Sequence, residues 1–244
     1  MSIERRNFPQ FFITAPSPCP YLAGQYERKV FTHLIGHDAK DLNSQLSHGG
    51  FRRSQNIAYR PACDRCKACV SVRVQVADFE WSRSFRKTLT YNRDVSTRIV
   101  KAKATSEHYS LFREYVDTRH SEGGMADMTV LDFAAMIDET TAESKMVEFR
   151  LNASSISNGE LIGAALIDVL NDGYSMIYSF YSPSHVKRSL GTLMILDTIA
   201  RAHAKAQKFV YLGYWISGSP KMSYKARFLP QQRLGPDGWG TVGR

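Results

Sequence analysis

The chain has 244 residues, enough for one large domain or two smaller ones around a substantial core. No apolar run reaches the roughly 18 residues of a membrane span, and the opening MSIERRNFPQFF holds no apolar stretch of leader length, so a soluble, cytoplasmic protein with no membrane partner is expected. The formal charge of +9 is unevenly spread: residues 1–104 carry 18 Lys and Arg against 8 Asp and Glu, residues 105–160 carry 4 against 11, and residues 161–244 carry 10 against 4. Two basic ends around an acidic centre favour a polyanionic partner over a merely solvated basic surface.

The first dense stretch is GFRRSQNIAYRPACDRCKACVSVR, from Gly50 to Arg73. Cys63, Cys66 and Cys69 stand at C-x2-C-x2-C spacing, and Cys19, between Pro18 and Pro20, could supply a fourth ligand to a structural or regulatory zinc ion or iron–sulfur cluster. Four cysteines in a reducing compartment argue against a disulfide framework and leave metal, buried-thiol and redox roles open. Val70, Val72, Val74 and Val76 then alternate with Ser71, Arg73 and Gln75, which predicts a half-buried strand.

Ser82 to Val95 reads as a basic helix carrying Arg83, Arg86, Lys87 and Arg93. A second helix is expected from Ser106 to about His120, and a third, capped near Thr129, ends near Thr140 after the glycine-punctuated loop SEGGMADM. From Lys145 the pattern becomes strands: MVEFRL, ELIGAALIDVL and Tyr174 to Tyr181, with Asn171-Asp172-Gly173 as a tight hairpin connection. An apolar helix opened by Ser189-Leu190-Gly191-Thr192 runs to about Gln207, and Phe209-Val210-Tyr211-Leu212 returns as a strand. Two helices, a meander, a helix and a strand is the order of a GNAT-type acyltransferase. The expected class is therefore α/β (α+β), with a basic, cysteine-bearing N-terminal lobe over residues 1–104 and a GNAT-like domain over 105–244.

Two further stretches carry chemistry. Arg188-Ser189-Leu190-Gly191-Thr192 would turn backbone N–H groups and a positive helix end toward an anion, either a coenzyme A pyrophosphate or an RNA end. In YLGYWISGSPKMSYKARF, aromatics interleave with Lys221, Lys225 and Arg227, the pattern that stacks bases and holds phosphates.

GFRRSQNIAYRPACDRCKACVSVRV, HSEGGMADM, RSLGT and YLGYWISGSPKMSYKARF, kept in order between about Phe11 and Trp239, resemble the signature segments of the bacterial aminoacyl-tRNA–protein transferases, the aspartate/glutamate leucyltransferase branch of the arginyltransferase family. The resemblance implies transfer of leucine from leucyl-tRNA to the α-amine of proteins beginning with Asp or Glu, marking them for degradation by the N-degron route. Aminoacyl-tRNA and such proteins would be the partners, with no DNA. Arginine as donor, a coenzyme A-dependent acetyltransferase and a non-catalytic RNA-binding zinc protein are the alternatives. Aminoacyl transfer starts from an activated ester and requires no cofactor. An α-amine with a pKa of roughly 8 is already about a tenth free base at pH 7, so positioning and oxyanion donors can carry the reaction.

On this reading Arg52, Arg53, Arg60, Arg83, Arg86 and Lys87 hold acceptor-stem phosphates, and Arg188, Ser189, Gly191 and Thr192 contact the RNA end. Tyr214, Trp215 and Tyr224 wall the terminal adenosine and leucyl group. Lys221, Lys225 or Arg53 pairs with the acceptor carboxylate, Asp127 or His120 takes the amine proton, and Tyr59 or Ser54 donates to the oxyanion.

Overall fold

The computed structural model describes residues 9–121, 123–152 and 158–243. The first eight residues, on which the leader expectation falls, and Glu122 of HSEGGMADM lie outside that set. In chain order the elements are β1 (Phe12–Ile13), β2 (Ser17–Pro18), β3 (Tyr26–Glu27), β4 (Lys29–His33), α1 (Ala39–His48), β5 (Arg52–Ser54), β6 (Ile57–Pro61) and β7 (Cys69–Gln75). They continue with α2 (Arg83–Tyr91), β8 (Val95–Lys101), α3 (Ser106–Arg119), α4 (Val130–Asp138), β9 (Ser144–Leu151), β10 (Glu160–Leu170), β11 (Gly173–Tyr181), α5 (Leu190–Ala204), β12 (Phe209–Ile216), β13 (Gln231–Gly235) and β14 (Gly238–Val242). Among these residues no helix is long and apolar enough to cross a membrane.

One sheet of order β14-β13-β7-β12-β11-β10-β9-β8 forms the mixed α/β body, antiparallel except where β11 meets β12. The meander β9-β10-β11, the helix α5 and the strand β12 beside β11 follow the order expected of a GNAT-like fold. β7 and β8 enter this sheet from the basic N-terminal third, so the sheet itself spans residue 104. A separate sheet, β1-β4-β6-β5, belongs to the N-terminal segment.

β10 is buried along nearly its whole length because both of its faces are covered. Ile162, Ala165 and Ile167 join the core under α5, whereas Leu161, Ala164 and Leu166 join the core under α3 and α4. That is why its sequence is a continuous apolar run and not an alternating one. α4 starts on a capping box, in which the Thr129 side chain accepts from the Asp132 N–H while Asp132 bonds back to the Thr129 N–H.

Two expectations are corrected. The helix from Ser82 stops at Tyr91, because buried Asn92 turns its side-chain amide to the carbonyls of Thr88 and Arg188, and Val95 begins edge strand β8 against β9. β7 is buried on both faces: Ser71 and Arg73 are enclosed as well as Val72 and Val74, Ser71 by Gly50 and Arg73 by Phe209 and Trp239. Arg73 stacks on Phe209 at 3.6 Å and Trp239 at 4.2 Å and donates to the Tyr211 hydroxyl.

The parallel pairing of β11 with β12 lasts only from Gly173 and Phe209 to Ser175 and Tyr211. A side chain at residue 173 would meet the Phe209 carbonyl oxygen at 2.0 Å, so glycine is what lets β12 start there. Beyond Ser175 the strands part, and Arg52 fills the gap. Its Nη2 donates to the carbonyls of Met176 at 3.0 Å and Ile177 at 2.8 Å, just beyond the last residue of β11 paired with β12. Gly213, with φ of 75°, makes room: a Cβ there would stand 1.5 Å from the Arg52 Nη1.

Arg53, the next residue on β5, points the opposite way. Its fully buried guanidinium bonds both oxygens of Asp168 at 2.6 and 2.7 Å, together with the Ser144 hydroxyl and the Gln55 carbonyl. Asn43 from α1 donates to the same carboxylate. The short strand β5 is thus sewn to β10 and to β11 by two adjacent arginines. Replacing Arg53 with Met strands the buried Asp168 charge, and denaturant unfolding should show a loss of about 3–5 kcal/mol. The double change Arg53→Met with Asp168→Leu should recover most of it.

Candidate active site

The end of β11, the end of α3 and the segment after β12 meet at one cleft. Tyr181 from β11 packs on Tyr115 from α3 with ring centroids 4.9 Å apart, and the Arg119 guanidinium lies over the Tyr181 ring at 5.3 Å. His120 follows directly, its Nε2 paired with the Tyr115 hydroxyl at 3.3 Å. Partial burial, then the charges of Lys221 and Arg119, lower its pKa and leave a neutral imidazole at pH 7. Tyr224 stays 43% exposed, yet crowding of its phenol and the neighbouring Tyr181 raise its pKa against the pull of Arg52.

Lys221 lines a cavity of about 430 Å³ together with Ser219 and Pro220 on one side and Cys19, Pro20, Tyr21, Leu22 and Ala23 on the other. It is exposed, and among the described residues no carboxylate forms an ion pair with it. The cavity is built from both ends of the sequence.

Several of the expected site residues are engaged by other groups of the fold. Arg52 and Arg53 are occupied by the carbonyls and carboxylate described above. Tyr214 is buried, its hydroxyl directed at the carbonyls of Gly50 and Tyr59, and Trp215 points to the other face of β12, where Arg233 stacks on it at 4.0 Å. Arg60 is exposed over the Phe51 ring. Ser54 is exposed at the end of β5, and Tyr59 is half-buried with the Lys29 ammonium over its ring. Asp127 is exposed in a turn that Arg113 holds through the Ala126 carbonyl.

At the start of α5, Arg188 is bound through both guanidinium arms to Asp94 at 2.8 and 2.9 Å. Ser189 takes a left-handed conformation, and Thr192 bonds through its N–H to the Ser189 carbonyl. The Tyr181 ring lies 3.3 Å from where a Gly191 Cβ would be, so this glycine admits the ring against the helix start. Tyr115, Arg119, Tyr181 and Tyr21 are site residues that sequence reading missed. The first two read as part of a helix's apolar and solvated faces, and their nearness to HSEGGMADM was the one available signal.

The four cysteines are gathered: burial, followed by Cys19, Cys63 and Cys66, pushes the Cys69 thiol up to about 11. All four are free and partly exposed, and among the described residues no three Cys, His, Asp or Glu side chains form a metal-holding group.

A second lysine of this segment lies behind the cleft. Lys225 is 6% exposed, its Nζ donates to the Tyr214 carbonyl at 2.6 Å, and burial, then Arg52, pull its pKa down to about 7. An unfolded lysine keeps its proton to about pH 10.4, so between pH 7 and that value the unfolded chain binds more protons and stability rises with pH. Lys225→Met should remove this dependence: lowering the pH from 10 to 7 should favour the variant over the wild type by about 3–5 kcal/mol at most, read from paired denaturation curves.

A family model described as arginine-tRNA-protein transferase, C terminus, matches residues 107–235, and its N-terminal counterpart matches residues 17–87. An aspartate/glutamate leucyltransferase of Afipia carboxidovorans is 61% identical over 243 residues, covering 99% of this chain and 96% of the relative. One of Bradyrhizobium diazoefficiens is 60% identical over 243 residues, covering 98% and 94%. Among solved structures, FemX is 11% identical over 77% of this chain and 63% of its own, with a TM-score of 0.47. A tandem GNAT protein from the clavulanic acid pathway is 13% identical, covering 93% and 65%, with a TM-score of 0.43. With two matched family segments and full-length identity near 60%, the chain belongs to the arginine-tRNA–protein transferase family, in its aspartate/glutamate leucyltransferase branch.

Proposed function

We propose that this enzyme moves leucine from leucyl-tRNA to the α-amine of proteins beginning with Asp or Glu, acting in the cytoplasm where charged tRNA is made. The observation that carries the acceptor side is Lys221, an exposed cation without a carboxylate partner among the described residues, on the wall of a cavity large enough for a first residue. The relatives' names support the donor and acceptor together.

In this reading the acceptor's side-chain carboxylate meets Lys221, which holds its amine near neutral His120. His120 takes a proton from the ammonium. The free amine attacks the ester carbonyl carbon, an N–C bond forms, the ester C–O bond breaks, and the ribose oxygen leaves with a proton. Tyr224 and Tyr181 border the path of the leucyl end. No step passes through the cysteines.

Arg83, Arg86 and Lys87 on α2 are exposed, and Arg83 and Arg86 line a second cavity of about 580 Å³ with Glu80, Trp81 and Ser82. They are the natural contacts for acceptor-stem phosphates.

The deciding experiment offers leucyl- and arginyl-tRNA against peptides beginning with Asp, Glu, Arg and Ala. Leucine should pass to the Asp and Glu peptides alone; arginine transfer with no leucine transfer would reassign the donor, and no transfer at all would overturn the proposal. Lys221→Gln should raise KM for the acidic peptides about tenfold or more with little change in KM for tRNA. Arg83→Ala with Arg86→Ala should weaken tRNA binding and flatten its salt dependence by about one to two units of slope.

A further inference from the structure

The N-terminal sheet has two unlike faces. Thr32 and Ala58, both 1% exposed, lie on the face that packs on α1 with Leu34 and Ala39. On the other face the register aligns Phe12 of β1 with Phe31 of β4, Phe31 with Tyr59 of β6, and Tyr59 with Arg52 of β5. Residues directly opposite in a sheet share a face, so three rings on adjacent strands form a row ending at the arginine lodged between β11 and β12. Phe12 is 44% exposed, and its ring lies 5.5 Å from Phe31 and 6.1 Å from His33. Lys29 sits over Tyr59 at 5.6 Å and also pairs with Glu27 at 2.6 Å.

The small core on the α1 side does not use these rings, so folding of the lobe does not account for them. They begin at the solvent and end at the splay of β11 and β12. The segment carrying them, residues 1–104, has 18 Lys and Arg against 8 Asp and Glu, a charge suited to a polyanion. Rings spaced along a sheet with cations at their margin are how single-stranded RNA is held, one base to a ring. We propose that the row Phe12, Phe31 and Tyr59 is a stacking track for the unpaired 3′ nucleotides of the charged tRNA, leading its esterified end toward Arg52 and the cleft. The inference rests on the tRNA reading above and adds the place where the RNA's single-stranded end lies.

The test uses the full chain with leucyl-tRNA and an Asp-initiated peptide. A short single-stranded RNA ending in CCA, with 2-aminopurine replacing the last adenine, serves as the binding probe. Phe12→Ala with Phe31→Ala should raise KM for leucyl-tRNA about tenfold, abolish quenching of the probe and leave KM for the peptide within twofold. Phe12→Trp should keep wild-type values, whereas Phe12→Leu should not, because an apolar side chain without a ring cannot stack. Phe12 lies on a two-residue edge strand, so its single variants carry the test even if Phe31→Ala unfolds. A rise in peptide KM instead would give this face to the acceptor protein and overturn the inference, as would unchanged constants in every variant. Failure of the wild type to transfer leucine would sink the tRNA reading itself; wild-type transfer with indifferent variants sinks the track alone.

Discussion

Everything about the cleft depends on the parting of β11 from β12 and on the arginine that occupies the gap. A parallel pair that opens after three residues leaves main-chain carbonyls facing a void, and a buried carbonyl without a donor is costly. Arg52 satisfies two of them, and Gly213 supplies the space. The same guanidinium adds to burial, the larger cause, in lowering the Lys225 pKa, and it opposes the burial that raises that of the Tyr224 phenol. One side chain therefore serves both the fold and the electrostatics behind the site.

The chemistry asks little of any single group. An ester already activated by its RNA carrier needs an amine held at the right place and relieved of a proton. In the proposed reaction a neutral His120 and an exposed Lys221 whose charge acts on it would provide those two services. After burial, the Lys221 charge is one reason the imidazole stays neutral.

Elements whose pattern is local were legible in the sequence. The Asn171-Asp172 turn, the Thr129 cap and the strand β10 each follow from residues within a few positions of one another. The short strands β1 to β6 were not, because runs of two to five residues show no periodicity to read. The same limit applied to the site. Side-chain type marked Arg52 and Arg53 as cations but could not tell a phosphate from a carbonyl or a buried carboxylate. Tyr214 and Trp215 looked like one wall, although neighbours on a strand face opposite ways. The motif segments do contain Lys221, Tyr224 and His120, which the fold brings to the candidate cleft, whereas Tyr115 and Tyr181 needed three dimensions.

The position of β7 bears on how the molecule is made. It pairs with β12 and β13, which lie well over a hundred residues further along the chain. While the ribosome is still extending the polypeptide, those valines have neither neighbour, and a bare apolar edge is prone to join the wrong partner. This interior strand, third of eight in the sheet, gains its neighbours only once residues 209–235 have been made, so the nascent chain must shelter it until then.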